Sequence, residues 1–464
     1  MEETFKYNQE FIEHLLKQQK VFFATGKTKD INYRKYHLRK LYDELKRNEK
    51  EISKALYSDL HKSEYESYIT EIGLVKNEIK HQLKLIDRYS KPQYVPGSLF
   101  VINGKSRIYY EPYGLTLIVS PWNYPFHLAM MPLIGAVAAG NCVVLKLSPD
   151  SPAANMVTRK VLENVFSNEH VAVVEGHREV NECLFSQPFD HIFLTGSPQL
   201  GKVAMKAAAN HLAKVTLELG GKSPCIIDKD ANIEMATKRV AFGKVINSGQ
   251  TCIAPDYIYI HKDVKQQFVD LFAKNIENFY PGGIEQSVEY PHIVSDKAMR
   301  RLVALLDCGT VIYGGKYDFN TRFFHPTLME KVSPQSELMQ NEIFGPIFPI
   351  YEFEDINEVI KFVTSRPKPL ALYYFTQSNH RAERMLMQTS SGGVCINDVL
   401  MHIVNHNLPF GGVQNSGIGN YHGKFSYETF SHKKAVLKTS TLIDFFVKYP
   451  PFGKERIKWI KKIF

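Results

Sequence analysis

Five short apolar runs between residues 115 and 218 constrain the fold of this chain more than any other feature. Each run ends in turn residues and is followed by a stretch long enough to form a helix. Strands that are apolar throughout and alternate with helices are typical of a parallel sheet covered on both faces. The runs occupy residues 115–120, 142–146, 171–174, 191–195 and 215–218. The pattern predicts a doubly wound α/β sheet, which binds ligands at the carboxyl ends of its strands.

Two further segments flank this predicted sheet. Before it, apolar residues recur every three or four positions up to about residue 90, which predicts a helical lead-in that ends at Pro92 and Pro96. Alternating residues from 99 to 110 then predict extended strands. After the sheet, a second α/β stretch covers about 221–421, with apolar runs at 223–227 and 257–260. Since no long linker separates the two α/β units, we expect them to pack tightly around a cleft.

The composition excludes several classes of protein. A chain of 464 residues is too long for one hydrophobic core, and 44% hydrophobic with 23% charged residues is typical of soluble globular proteins. Charged residues occur throughout the first thirty positions, so we expect no secretory signal. No apolar run reaches about 18 residues, so we expect no membrane-spanning helix. Six scattered cysteines without a C-x-x-C pair predict neither disulfides nor a metal site, and they favour a reducing, cytoplasmic location.

The net charge of +9 does not indicate a nucleic-acid partner. Residues 448–464 contain six lysine or arginine residues against one glutamate, so more than half of the excess lies in this segment. The rest of the chain has no basic stripe interleaved with stacking aromatics. We therefore expect no nucleic-acid binding.

Cys252 is the candidate nucleophile. It lies between Gly249 and Pro255, in a segment that predicts a turn where the sulfur can face a cleft. Backbone N–H groups of such a turn can stabilise a thiolate or an oxyanion. A cysteine is otherwise most often an inert apolar residue, and we keep this interpretation for the other five.

Two more residues could assist such a thiol. Glu218 lies between two leucines at a predicted strand end, where partial burial would raise its pKa into the range of a general base. The alternative is a hydrated glutamate at a strand edge. Asn123 lies in Pro-Trp-Asn-Tyr-Pro, where two prolines hold its amide in place as an oxyanion donor. The alternative is an asparagine that caps the following helix.

A glycine-rich segment follows the fourth apolar run. Gly196 and Gly201 have the spacing that begins a phosphate-binding P-loop, but Val203 replaces the Ser or Thr that would bind magnesium. The dinucleotide fingerprint G-x-G-x-x-G is also absent. What remains is either a helix N-terminus that favours an anion such as a pyrophosphate, or simply a tight turn.

Five motifs together resemble the aldehyde dehydrogenase superfamily over essentially the whole chain. They are PWNYPF at 121–126, LELGGKSP at 217–224, GQTCIAP at 249–255, EIFGP at 342–346 and LPFGG at 408–412. Three further segments look like the dimeric branch of class-three and fatty aldehyde dehydrogenases and their bacterial relatives. These are APDYIYI at 254–260, RPKPLALYYF at 366–375 and NSGIGNYHGKFSYETFSHKKA at 415–435.

The resemblance implies a fold of three parts and a homodimer. The parts are a doubly wound, Rossmann-like NAD(P)-binding domain (1–88 and 109–218), an α/β catalytic domain (219–420) and a small β oligomerisation arm (89–108 and 421–440). Residues 441–464 would form a basic, amphipathic tail.

The resemblance also implies a role for each residue of the site. Cys252 would form a thioester with an aldehyde, Asn123 would stabilise the oxyanion, and Glu218 would activate the water that hydrolyses the thioester. The residues expected to bind NAD or NADP are Ser120, Trp122, Lys146, Gly196, Ser197, Gly201, Leu219, Glu342 and Phe344. The substrate would be a medium- or long-chain aliphatic, aromatic or apocarotenoid aldehyde, and the product its carboxylic acid.

Two features differ from the common pattern of the family or extend it. Many NAD-preferring relatives have a glutamate three residues after the ribose-binding lysine, whereas Pro149 lies there in this chain, so we expect it to use both cofactors. The tail predicts a short interfacial helix with weak membrane contact. A helix packed over the substrate channel, or a solvated helix, is the alternative. The apolar residues that can share one face of this helix are Ile457, Trp459, Ile460, Ile463 and Phe464.

Two other functions stay open at this point. A CoA-acylating dehydrogenase would pass the acyl group to a thiol rather than to water, and Glu218 as a water activator disfavours it. The other is a non-catalytic, cofactor-binding or structural protein of the crystallin kind. It is disfavoured because a residue able to perform the chemistry occupies every expected catalytic position.

Overall fold

Two mainly parallel sheets, a three-stranded antiparallel sheet and a two-stranded antiparallel sheet of Tyr317–Asp318 and Phe323–Phe324 contain the strands of the described residues. The computed structural model describes residues 7–97, 104–444 and 448–463, the side chains of residues 462 and 463 excepted. Residues 99–103 of the predicted extended segment lie outside the described residues, as does Phe464 of the predicted apolar face of the tail.

Helices form the lead-in and most of the connections between strands. They are Gln9–Ala24 (α1), Ile31–Leu60 (α2), Glu64–Ser67 (α3), Gly73–Tyr89 (α4), His127–Ala139 (α5), Pro152–Val165 (α6), Arg178–Phe185 (α7), Pro198–Ala209 (α8), Ile233–Val245 (α9), Lys265–Phe279 (α10), Asp296–Leu305 (α11), Glu337–Gln340 (α12), Ile356–Thr364 (α13), Asn379–Gln388 (α14), Lys424–Thr429 (α15) and Lys454–Ile463 (α16). A π-helical turn, Tyr68–Ile72, connects α3 to α4.

The strands follow in the same way. They are Gln93–Val95 (β1), Lys105–Pro112 (β2), Leu115–Val119 (β3), Cys142–Lys146 (β4), Val171–Val174 (β5), His191–Gly196 (β6), Lys214–Leu219 (β7), Pro224–Ile227 (β8), Tyr257–His261 (β9), Thr310–Tyr313 (β10), Tyr317–Asp318 (β11), Phe323–Phe324 (β12), Thr327–Glu330 (β13), Ile347–Phe353 (β14), Ala371–Phe375 (β15), Gly393–Ile396 (β16), Gly417–Ile418 (β17) and Ser431–Lys438 (β18).

The first sheet has the strand order β17-β7-β6-β3-β4-β5. Strands β3 to β7 run parallel and correspond to the five apolar runs, so the doubly wound prediction is confirmed for this part of the chain. The order changes direction between β3 and β6, and sheets of this kind bind ligands in the crevice outside the carboxyl ends of such strands. Strand β17 is antiparallel to β7. Residues 417–418 therefore belong to this sheet, although the sequence boundaries place them in the catalytic domain.

The second sheet has the order β10-β13-β14-β9-β8-β15-β16 and is parallel except for the edge strand β10. Strands β8 and β9 match the apolar runs predicted at 223–227 and 257–260. Only residues 220–223 separate β7 of the first sheet from β8 of the second. The carboxyl end of β7, which carries Glu218, consequently lies where the two sheets meet.

A three-stranded antiparallel sheet, β1-β2-β18, forms the small β arm. Strand β18 pairs with β2 over its whole length, from Ser431 opposite Pro112 to Lys438 opposite Lys105. The domain boundary predicted between residues 108 and 109 therefore falls inside strand β2, because the pairing with β18 keeps this strand extended as far as Pro112.

The long helix α2 shows how the lead-in packs. Asp30 caps its N-terminus by accepting a hydrogen bond from the N–H of Asn32. Fully buried side chains recur along one face, and each such burial contributes about 1.5–3 kcal/mol. These side chains are Leu38, Leu41, Leu45, Ile52 and Leu56. The helix ends where His61 adopts a left-handed conformation, with φ at 56°. None of the helices in the described ranges is long and apolar enough to cross a bilayer.

Candidate active site

A cavity of about 230 Å³ lies at the carboxyl ends of β6 and β7, between the first sheet and the loop that precedes β9. It brings together most of the predicted site residues: Trp122, Asn123, Gly196, Ser197, Glu218, Leu219, Cys252, Glu342 and Phe344. The other lining residues are Leu128, which the sequence did not single out, and Pro121, Thr195 and Gly220, which lie in segments already described. Three predicted residues do not line this cavity: Ser120, Lys146 and Gly201.

The loop that carries Cys252 begins with three consecutive residues in the left-handed region. Asn247 and Ser248 both have φ at 50°, and Gly249 has φ at 68°. Left-handed backbone at non-glycine residues is strained and is concentrated at functional sites. The sequence predicted a turn here, and asparagine is among the non-glycine residues that adopt this conformation most often, whereas the residue type of Ser248 gives no such signal.

Cys252 is half-buried and lines the cavity. Burial in the surrounding protein raises the pKa of Cys252, and the carboxyl groups of Glu342 and Glu218 raise it further. The backbone N–H groups of Cys252 and Ile253 act in the opposite direction, because they face the sulfur. These N–H groups are the donors that the turn interpretation predicted.

Asn123 is buried, and its amide Nδ2 donates a hydrogen bond of 3.0 Å to the carbonyl oxygen of Gln250. The side chain therefore faces the Cys252 loop. The alternative, in which it caps helix α5, is wrong: two N–H groups at the start of this helix donate instead to the carboxylate of Glu71. Beside Asn123, the Tyr124 hydroxyl lies 2.7 Å from the hydroxyl of Thr251, which precedes Cys252.

Glu218 is 3% exposed, and neither of its carboxyl oxygens has a hydrogen-bond partner within the described chain. Burial raises the pKa of this carboxyl well above its ordinary value. The alternative of a hydrated glutamate at a strand edge is therefore excluded. A carboxylate with a raised pKa is a stronger base than an ordinary glutamate, as a general base requires.

Glu342 approaches the main chain of Gly220 so closely that a Cβ at position 220 would overlap its carboxyl group. Burial, followed by the nearby charge of Asp256, raises the pKa of Glu342 to about 8. The N–H of Gly221 faces the same carboxyl and lowers its pKa. Glu342 thus occupies the wall between the cavity and a larger cleft of about 610 Å³, which it lines together with Ser197 and Gly220.

Two aromatic side chains form another wall. The rings of Trp122 and Phe344 meet edge to face, with centroids 5.4 Å apart. Phe344 has φ at 47°, a conformation that a bulky residue adopts only under constraint from its surroundings. The pair gives the cavity an apolar, aromatic wall, which can contact a planar ring.

Ser197 caps helix α8 by accepting a hydrogen bond from the N–H of Leu200. The N-terminus of this 12-residue helix lies at the cavity edge beside Gly196 and Ser197, and a helix N-terminus is a suitable environment for an anion. Gly201 lies inside the helix, where a Cβ would be 3.0 Å from the side chain of Leu219. Gly201 therefore allows close packing of the helix on the sheet and does not face the cavity itself.

Lys146 and Ser120 lie at the carboxyl ends of the neighbouring strands β4 and β3. The main-chain N–H of Ser120 donates a hydrogen bond of 3.0 Å to the carbonyl of Lys146. Lys146 is 3% exposed, and its burial lowers its pKa to about 8. A buried ammonium group favours a ligand that supplies acceptors, and the position at the carboxyl end of a strand, one strand from the switch point, suits the ribose of a dinucleotide.

The described residues contain no group of three or more His, Cys, Asp and Glu side chains arranged to hold a metal ion. The six cysteines are free thiols. The side chains that line the cavity include the thiol of Cys252, the carboxyl groups of Glu218 and Glu342, and the amide of Asn123.

Comparison with known proteins gives the same picture over nearly the full chain. Residues 3–436 match the model of the aldehyde dehydrogenase family. The chain is 43% identical to 4,4'-diaponeurosporen-aldehyde dehydrogenase of Staphylococcus aureus, over 98% of this chain and 99% of that protein. It is 42% identical to the rat aldehyde dehydrogenase named dimeric and NADP-preferring, over 95% of this chain and 98% of that protein.

Solved structures agree with this match. A substrate-bound structure of Staphylococcus aureus AldH superposes with a TM-score of 0.95 at 43% identity, covering 97% of this chain and 99% of that one. The NAD+ complex of a Bacillus cereus aldehyde dehydrogenase gives a TM-score of 0.85 at 26% identity, covering 93% and 89%.

Proposed function

The chain belongs to the aldehyde dehydrogenase family, and from this premise we propose that it oxidises an aldehyde to a carboxylic acid through a thioester on Cys252. The observation that carries the proposal is the convergence of Cys252, Asn123 and Glu218 on one cavity. These residues come from three separate segments of the chain. Together they supply a nucleophile, an oxyanion donor and a base.

The residues around the cavity fit NAD or NADP. Lys146 and Ser120 would hold the adenosine ribose, the N-terminus of α8 at Gly196 and Ser197 the pyrophosphate, and Glu342 the nicotinamide ribose. Trp122, Leu219 and Phe344 would hold the nicotinamide ring. The carboxyl oxygen Oε1 of Glu342 has no partner within the described chain, which suits a ribose hydroxyl donor. When bound, the nicotinamide accepts the hydride that the aldehyde loses.

Cys252 and Asn123 act in the first half of the reaction. The Cys252 sulfur, as the thiolate, adds to the aldehyde carbon and leaves a negative charge on the former carbonyl oxygen. An amide group has two N–H donors, and Asn123 uses one of them on the carbonyl of Gln250. We assign the second donor to the oxyanion, together with the N–H of Cys252.

Glu218 acts in the second half. The thioester on Cys252 needs a water molecule as its acceptor, and Glu218 takes a proton from that water as it attacks. The acid is released and the thiol is restored. Because Glu218 lines the cavity beside Cys252, water as the acyl acceptor is favoured over the thiol of CoA. Product analysis with and without CoA distinguishes the two acceptors.

We propose an apolar aldehyde as the substrate and both NAD and NADP as cofactors. The Staphylococcus aureus relative is named for an apocarotenoid aldehyde, and the rat relative is named NADP-preferring. Pro149 lies three residues after Lys146, at the position where the glutamate of many NAD-preferring relatives would repel the 2′-phosphate of NADP, and this supports use of both cofactors.

A panel of aldehydes from C2 to C16, together with aromatic and apocarotenoid aldehydes, tests this assignment when each is assayed with both cofactors. We expect kcat/KM to rise with chain length, because each buried methylene contributes about 0.8 kcal/mol. We also expect the preference for either cofactor to stay below about a thousandfold, which corresponds to roughly 4 kcal/mol. A maximum at C2, or a larger preference for NAD, would contradict the proposal.

The β arm is the proposed site of homodimer formation. Strand β18 is an outer strand of the sheet β1-β2-β18 and leaves one row of backbone groups for a further strand. The rat relative is named as dimeric. Pairing of this edge with a second copy would satisfy these groups in the usual symmetric manner.

We propose weak, peripheral membrane contact for the tail. Helix α16 exposes Ile457 and Trp459, which are 57% and 70% accessible, beside several lysines. Such a helix can lie at an anionic bilayer surface. We expect the full-length protein, but not a variant ending at residue 447, to sediment with anionic liposomes at low salt. Equal sedimentation of both proteins would refute the contact, and neutral liposomes are the control.

A further inference from the structure

Lys62 is a fully buried lysine in the lead-in that the sequence left without a role. It follows helix α2 directly, and the left-handed His61 turns the chain toward the interior. Its ammonium group contacts three partners. The Nζ atom lies 2.6 Å from Oε1 of Glu71, donates a hydrogen bond of 2.9 Å to the carbonyl of Asn123, and lies 3.9 Å above the ring centroid of Tyr124.

Each of the three ammonium donors therefore has an acceptor: a carboxylate, a carbonyl and an aromatic face. An unpaired ammonium would not persist at such depth, because its desolvation is unfavourable unless partners surround it. Two of the three partners are consecutive residues of the Asn123 segment. The buried charge is thus directed at this segment.

Glu71 extends the same network to the other end of the segment. It lies in the π-helical turn Tyr68–Ile72. Such turns are rare in proteins, and those that occur are often at functional sites. Its second oxygen, Oε2, accepts hydrogen bonds from the N–H groups of Phe126 and His127, at 2.9 and 3.1 Å. The Lys62–Glu71 pair consequently binds both the middle of the segment 121–127 and its entry into helix α5.

The network also reaches the loop that carries Cys252. The carbonyl of Asn123 accepts a second hydrogen bond, of 2.8 Å, from Nδ2 of Asn247, which also donates to the carbonyl of Gln250. The N–H of Asn247 donates in turn to the buried carboxyl of Glu66. The lead-in residues 62–71 therefore hold the oxyanion segment and the strained turn before the nucleophile in one set of contacts.

We propose that Lys62 is a positioning residue for oxidation of the aldehyde, and that it acts through Asn123. Its donor on the Asn123 carbonyl, supported by Glu71, fixes the backbone from which the Asn123 amide is aimed at the oxyanion. The inference rests on the proposed role of Asn123. Residues of the helical lead-in would then support the active site from behind Asn123, although none of them lines the cavity.

A double-mutant cycle tests the route through Asn123. The variants are Lys62→Met, Asn123→Ala and the combination, and the readout is the rate of the first turnover of cofactor reduction after rapid mixing. We expect Asn123→Ala to lower this rate roughly a hundredfold or more, and Lys62→Met to lower it at least about tenfold. In the Asn123→Ala background, Lys62→Met should change the rate by less than about twofold, because the group it positions is already gone.

A merely structural lysine gives a different result. It lowers the rate by the same factor in both backgrounds, and that additivity would overturn the proposal. A control cycle pairs Lys62→Met with Ser197→Ala on the cofactor side, where we expect the two effects to multiply. The KM for NADP should not change in Lys62→Met.

Lys62→Met leaves the buried carboxyl group of Glu71 without its cation, so folding is measured by urea denaturation for each variant. If the single variant does not fold, Lys62→Met/Glu71→Gln removes the charge from both partners, and the cycle is repeated from that background with the same expectations. Should Asn123→Ala alone keep the full first-turnover rate, the proposed oxyanion role fails. Should the effects instead multiply, only the Lys62 route fails.

Discussion

Replacement of Cys252 by alanine should abolish aldehyde oxidation and leave cofactor binding nearly unchanged. The sulfur is the only proposed nucleophile of the cavity, and a methyl group at this position cannot form the thioester. Loss of the nucleophile in enzymes that use covalent catalysis lowers turnover by about 10⁵-fold or more. The residues proposed to bind the cofactor are those of the first sheet together with Glu342. The Cys252 side chain is not one of them, so its loss should not weaken cofactor binding. Steady-state assays and NADP titration by fluorescence measure the two properties separately.

Two matched thiols serve as controls for this experiment. Cys183 and Cys308 are partly exposed free cysteines that do not line the cavity. Alanine at either position should retain full activity. If Cys252→Ala oxidised aldehydes at the rate of these controls, the assignment of the nucleophile would be wrong.

Replacement of Glu218 by glutamine should separate the two halves of the reaction. We expect one equivalent of reduced cofactor to form in a burst, followed by slow turnover, because the thioester forms but the water is not activated. Loss of a general base typically lowers the rate of the catalysed step by about 10²–10⁴-fold. Rapid-quench measurement of reduced cofactor reports the burst, and release of the acid reports the slow step.

The pH dependence supplies a second readout for Glu218. Burial raises the pKa of Glu218, so its carboxyl stays protonated to higher pH than an ordinary glutamate. Only the deprotonated form is a base, and the rate of acid release in the wild-type chain should therefore fall as the pH is lowered through this raised pKa. The same step in Glu218→Gln should lose this dependence. A wild-type profile shared by the variant would count against the base role.

The sheets could be predicted from the sequence because their strands are buried on both faces. An apolar run such as Cys142–Lys146 has no solvent-facing side, so its residue types report its position directly. The motif residues that line the cavity could also be predicted from the sequence, because Glu218 and Cys252 lie in segments with strong turn signals. Their burial and orientation, by contrast, depend on contacts between distant segments.

The lead-in and the domain boundaries show what the sequence could not provide. Lys62 and Glu71 are ordinary charged residues of a helical region when their periodicity alone is considered. Their burial follows from one left-handed residue, His61, and from a π-helical turn, neither of which has a reliable signature. Likewise, the pairing of Gly417 with Glu218 joins positions about 200 residues apart, and nothing local encodes such a contact.

The covalent bond to Cys252 is the central claim, and mass spectrometry of the Glu218→Gln variant tests it most directly. The variant is mixed with aldehyde and NADP, quenched in acid within the burst, and digested. The account predicts that the peptide containing Cys252 gains the mass of the acyl group, that hydroxylamine removes it, and that omission of cofactor prevents it. A burst of reduced cofactor without acyl mass on Cys252, or with that mass on another residue, would contradict the account.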